Sequence, residues 1–135
     1  MPNYRFREAA LLLGVSDDTL RRWADADRFT TSTDDAGRRV IDGAELAAFA
    51  EASAAPVPDL QSIHRESARN RFVGLVTKVT RDTVMAQVEL QCGPYRVVSL
   101  MSREAADDLG LEPGVTAIAA VKSTNVVIEV QGAQK

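Results

Sequence analysis

Two short stretches of the 135-residue chain carry the side chains best suited to chemistry: Ser67-Ala68-Arg69-Asn70 and Lys122-Ser123-Thr124. Between them they hold hydroxyls, an amide and two cations, all hydrogen-bond donors, and neither a carboxylate nor a histidine. Such a set suits a tetrahedral oxyanion, whose acceptor-only oxygens call for donors and positive charge rather than for an acid or a base. On spacing alone, the same residues also make an ordinary strand-entry turn and a polar strand end. Catalysis is poorly served. His64 is the only histidine and has no nucleophile beside it in the sequence, and Cys92 abuts Gly93-Pro94 and reads as a half-buried turn residue. One cysteine and one histidine cannot build a tetrahedral zinc site, and no glycine-rich loop of a phosphate-cradling type is present. The reading is a binding protein, not an enzyme, with no organic cofactor.

A second set of residues is basic. Arg21 and Arg22 stand on an expected helix whose inward positions are Leu20 and Trp23, and Arg38 and Arg39 follow a turn signal at Asp35-Ala36-Gly37. Arginines so placed can reach phosphates or base edges, although by charge alone they could equally be a solvated face. Residues 1–55 carry 7 basic and 10 acidic side chains, so this half is not a basic domain.

The elements that must position these groups change character along the chain. Phe6, Ala9, Ala10 and Leu13 recur at helical spacing and Gly14 follows, which predicts a helix over about 7–13. Ser16 is an N-cap for a second helix to about Ala24, with Asp17 and Asp18 at its positive end. A short hairpin follows, and Asp42 caps a last helix that turns Leu46 and Phe49 inward. Beyond it, Val84, Ala86, Val88 and Leu90 alternate with Met85, Gln87, Glu89 and Gln91, the period of two of a half-buried strand. Further strands are expected at about 72–80, 95–101, 115–122 and 126–130, with one short helix between Ser102 and Leu109-Gly110. Five strands and a helix in about 65 residues imply a small barrel.

Between the halves, FAEASAAPVPDLQS replaces periodicity with Ala, Ser and two prolines and reads as a connector. The formal charge of −3, 45% hydrophobic and 26% charged residues are those of an ordinary folded chain. No apolar run is long enough to span a bilayer and no signal segment opens the sequence, so a cytoplasmic location without membrane attachment is expected.

Two resemblances sharpen the reading. Tyr4 to about Phe49, with REAALLLGVSDDTLRRWADADR, GRRVID and ELAAFA, resembles the winged helix-turn-helix of the MerR and excisionase type. The resemblance implies that DNA is contacted by Thr19, Arg21 and Arg22 in the major groove and by Arg38 and Arg39 from the wing. The long dimerising helix usual in the MerR type is missing. Ser67 to Val130, with SARNRFVGLV, VMAQVEL, VVSLMS and LGLEPGVTAIAAVKSTNVVI, resembles the molybdate-binding Mop domain of molbindins, related to the TOBE domain. That resemblance implies molybdate or tungstate bound between subunits of a homo-oligomer. Its ligands would be Ser67, Ala68, Arg69 and Asn70 of one chain and Lys122, Ser123 and Thr124 of another. A second type of site would use the stretch around Val98 and Ser99. Molybdenum would enter only as the oxyanion, not as a free cation. Asn125 stands where the family often has an acidic residue.

The expected organisation is α+β: a winged helix-turn-helix over residues 1–52, a linker over 53–63, and a five-stranded OB-like Mop barrel over 64–135. The expected function is a DNA-binding transcriptional regulator that senses molybdate or tungstate. The alternative is a molbindin-type storage protein whose first domain binds a partner or DNA without switching.

Overall fold

The computed structural model describes residues 2–57 and 67–132; His64 and much of the expected linker lie outside them. The chain is mixed α+β and divides into two compact units, Met1–Pro56 and Val57–Lys135.

In the first unit the order is β1 (Asn3–Arg5), α1 (Phe6–Leu13), α2 (Asp17–Asp25), β2 (Ser32–Thr33), β3 (Arg39–Asp42) and α3 (Gly43–Ser53). α1 ends because Gly14 takes the left-handed conformation (φ 70°) and sends its N–H back to the carbonyls of Ala10 and Leu11. Two residues later the Ser16 hydroxyl oxygen accepts the Thr19 N–H at 3.1 Å and starts α2. The tight turn thus follows from one glycine and one serine. Leu20 and Ile41 are fully enclosed between the helices and a small antiparallel sheet of order β1-β3-β2. Phe29 meets Phe6 and Phe49 edge-on, with centroids 6.4 and 5.0 Å apart. The strand β1 was not expected: three residues with one inward apolar side chain, Tyr4, carry no readable period.

The second unit is a curled antiparallel sheet of β4 (Asn70–Arg81), β5 (Met85–Cys92), β6 (Tyr95–Ser102) and β7 (Thr116–Val121), in the order β6-β5-β4-β7. Ala86, Val88, Leu90 and Cys92 are buried at alternate positions of β5, as the period of two requires. Cys92 is therefore a core residue ending a strand, not the half-buried turn residue its Gly-Pro neighbours implied. β4 passes so close to the end of β5 that a Cβ on Gly74 would lie 2.5 Å from the Gln91 carbonyl oxygen and 2.6 Å from Cys92 Sγ. Between β6 and β7 runs α4 (Arg103–Asp108), capped by the Ser102 hydroxyl and inserting Ala106 into the core. Arg81 fastens its far end, with Nε 3.0 Å from Asp107 Oδ1 and a second nitrogen donating to the Leu111 carbonyl at 2.9 Å.

The fifth expected strand is not formed. After β7 a 3₁₀ turn over Ser123–Asn125 redirects the chain, and Val126–Val130 pairs with no strand among the described residues. The composition is that of a strand, but the chain leaves the sheet at Val121 and the turn carries the segment away from its edges.

Candidate functional site

The pairing of β4 with β7 decides where the donors meet. Asn70, the first residue of β4, stands opposite Val121, the last of β7. Ser67–Arg69 and Lys122–Thr124 therefore extend from the same end of one antiparallel pair, although 51 positions separate Asn70 from Val121. The Asn70 amide locks the arrangement by donating from Nδ2 to the Val121 carbonyl at 3.1 Å. One amide hydrogen is used and the second remains. Ala68 and Asn70 are half-buried, while Ser67, Arg69, Lys122, Ser123 and Thr124 are exposed. Among the described residues, the side chains of Ser67, Lys122, Ser123 and Thr124 make no hydrogen bond or ion pair. Three hydroxyls and an ammonium thus stand ready for a ligand at a fixed strand end, on a single chain.

Val98 and Ser99 lie elsewhere. They sit on β6 opposite Glu89 and Val88, at the side of a groove of about 720 Å³ that β6 and β7 bound. Its lining is aliphatic apart from Ser99 and Thr116 and includes no lysine or arginine. Ser99 and Thr116 supply the side-chain hydroxyls of this lining.

In the first unit, the expected contact residues differ in how they are held. Arg21 is exposed on α2 and makes no hydrogen bond or ion pair among the described residues. Thr19 is occupied: its hydroxyl oxygen accepts from Ser16 Oγ at 2.9 Å and from Arg22 at 3.3 Å. It braces Arg22 more than it offers itself. Arg38 pairs with Asp34 at 3.3 Å across the β2–β3 turn. Arg39 is the most engaged. Its guanidinium lies 4.9 Å over the Phe6 ring, 3.6 Å from Asp25 and 3.3 Å from the Thr31 hydroxyl, tying β3 to α1 and α2.

Asp34 organises that turn, a role the Asp35-Ala36-Gly37 signal had not assigned to it. Its carboxylate accepts the backbone N–H of Arg38 and of Ala36 at 2.8 and 2.9 Å. The Arg38 backbone N–H, aided by the Ala36 N–H and the Arg38 guanidinium, holds its pKa below the ordinary carboxylate value. Asp82 does the same between β4 and β5, its pKa lowered first by the Met85 N–H, then by that of Val84 and by the charge of Arg103. An aspartate two to four residues ahead of the groups it caps was the available signal.

Comparison with known proteins agrees with this division. A model described as a helix-turn-helix domain matches residues 4–54, and one described as a TOBE domain matches residues 66–128. Molybdenum-pterin-binding protein 3 of Clostridium pasteurianum is 40% identical over 63 residues, which are 46% of this chain and 93% of that protein. The chain belongs to the TOBE-domain family. Molybdenum-pterin-binding protein 2 of the same organism is 36% identical over the same shares of both chains. Among solved structures, a molybdate binding protein from Sporomusa ovata is similar at 27% identity and a TM-score of 0.48, covering 50% of this chain and all of that one. The TOBE domain here thus follows a helix-turn-helix domain, the fusion that the two sets of sequence motifs implied.

Proposed function

We propose that this chain is a DNA-binding transcriptional regulator whose TOBE domain binds molybdate or tungstate. The observation that carries the reading is the Asn70–Val121 pairing, which brings SARN and KST to one strand end in a domain 40% identical to a molybdenum-pterin-binding protein. The anion is the bare oxyanion: the convergent groups are hydroxyls, an amide and cations, with no aromatic side chain among them on which a pterin ring would stack. Arg69 and Lys122 supply charge, while Ser67, Asn70, Ser123 and Thr124 supply directed donors. Ala68 contributes only backbone.

α2 enters the major groove and presents Arg21 and Arg22, with Thr19 holding the latter in place. The β2–β3 hairpin serves as a wing, from which Arg38 reaches a phosphate. The TOBE domain forms a homo-oligomer with a completed five-stranded barrel, and anion binding between or beside subunits sets the spacing of the heads. The protein works in the cytoplasm, without an enzymatic step or an organic cofactor.

The test is a titration of labelled upstream DNA with the full chain at fixed salt, with and without saturating molybdate. The midpoint is expected to move by at least fivefold, the lower end of typical couplings of about 1 to 3 kcal/mol. By linkage, specific DNA must change molybdate affinity by the same factor. Equal midpoints within about twofold would remove the sensor and leave a storage protein with a DNA-binding or partner-binding head.

A further inference from the structure

In the first unit the large apolar side chains are buried or half-buried, with two exceptions among the described residues. Leu11 and Leu12 are exposed to 78% and 66%, side by side on α1. The core of the unit does not use them: Phe6, Ala9 and Ala10 form the inward face of the helix, and Leu11 and Leu12 fall outside it. Charges of opposite sign bracket the pair along the chain. Arg5 and Arg7 precede it, Asp17 and Asp18 follow it, and all four are exposed. Among the described residues none of these four side chains makes an ion pair. Glu8, the remaining charge on α1, is taken up by the Arg5 N–H at 3.2 Å. The order is therefore cations, leucine pair, carboxylates. A two-fold axis through the leucines turns that order end over end and sets each charge against its opposite.

We infer that the α1 faces of two copies of this chain pack on each other about such an axis, leucines on leucines, with Arg5 and Arg7 of each copy facing Asp17 and Asp18 of the other. Two leucines a side bury far less than the roughly 1,000 Å² that a free-standing interface needs, so the patch does not hold a foreign protein by itself. A second copy is different. The association of chains in the proposed function, on which this step rests, already holds it at an effective concentration on the order of mM. Heads joined through α1 present their two α2 helices in one two-fold arrangement, and so suit an inverted pair of DNA half-sites at a single spacing.

Disulfide trapping on the full chain tests the contact without DNA or anion. One new cysteine is introduced, at Leu11 or, as a control, at exposed Ala47 on α3; Cys92 is buried and common to both proteins. Leu11→Cys is expected to give linked pairs at least about tenfold faster than Ala47→Cys, because tethering raises both rates alike and only the contact favours Leu11. Adding Arg7→Glu is expected to slow the Leu11→Cys linkage about threefold, and adding Asp18→Arg to that variant to restore it. Equal rates at Leu11 and Ala47, in a protein that light scattering shows to be an oligomer, would overturn the head contact and leave the proposed association standing. Equal rates at a single-chain mass would overturn both. Linkage that favours Leu11 but ignores the charge reversals would overturn the two-fold register.

Discussion

The two candidate binding regions are built on opposite plans. In the helix-turn-helix domain the polar side chains are largely committed to one another: Arg39 to Phe6, Asp25 and Thr31, Arg38 to Asp34, Arg22 to Thr19, and Glu45 to Thr30. At the β4–β7 end of the TOBE domain, the side chains of Ser67, Lys122, Ser123 and Thr124 are held in place by the backbone and make no bond to one another. The helical unit, around an aromatic core of Phe6, Phe29, Trp23 and Phe49, engages several of its arginines in its own surface contacts. A sheet whose backbone pairing already fixes the geometry can leave its donors for a ligand. An arginine count therefore overstates the contact surface of the first domain, whereas the short inventory of the second understates its site.

The sharpest way to break this contrast is at Lys122. Lys122→Ala should weaken molybdate binding by about 1.5 to 3 kcal/mol, the range for a charge-assisted hydrogen bond, with an unchanged melting temperature. Calorimetry with the two proteins side by side checks both halves of that statement. A drop in melting temperature would mean that Lys122 is structural after all.

A smaller effect separates two arginines of the first domain. Arg39→Ala should destabilise the fold by about 0.5 to 2 kcal/mol through the lost ring contact and exposed ion pair. Arg21→Ala should leave stability within about 0.5 kcal/mol and weaken DNA binding instead. Urea unfolding of both variants, followed by the Trp23 fluorescence, reads the difference; equal losses would show that the commitment of Arg39 is not energetic.

The smallest expected effect is on pH dependence. Glu45 accepts from the Thr30 hydroxyl and the Thr30 N–H, in that order of influence, and both hold its pKa below the ordinary value of 4.5. A depressed folded pKa gives stability that is complete above the ordinary value and is lost as pH falls through the folded one. Glu45→Gln should therefore flatten the acid side of the stability curve below about pH 4.5 and leave the neutral side nearly parallel to the unaltered protein. An acid limb of unchanged slope would show that this contact contributes nothing.

Much of this architecture was legible in the residues. Gly14 and Ser16 marked the tight turn, Asp42 and Ser102 the caps, and the alternation from Ala86 to Leu90 the strand that carries the core. What could not be read were the features decided by partners distant in sequence. Val126–Val130 has the composition of a strand and pairs with none among the described residues, β1 has an edge and no pattern, and Cys92 is buried because β4 crosses it at Gly74. The anion stretches were legible as chemistry before they were legible as a place. Nothing in SARN or KST alone states that Asn70 faces Val121, and Thr19 could not be known to be occupied by Ser16 and Arg22.

The crossing from Asn70 to Val121 also fixes when the donors can act. It is the most sequence-distant pairing in its sheet and so closes the longest loop there. An unfolded or half-zipped chain has no such constellation. Under the proposed function the oxyanion is thereby a ligand of the finished sheet alone, and mass action would deepen the native well by about 2.7 kcal/mol with the ion at a hundred times its dissociation constant. On that proposal, a cell short of the ion would hold the same polypeptide closer to its unfolding threshold and turn it over faster, so that its abundance would follow the supply of the anion.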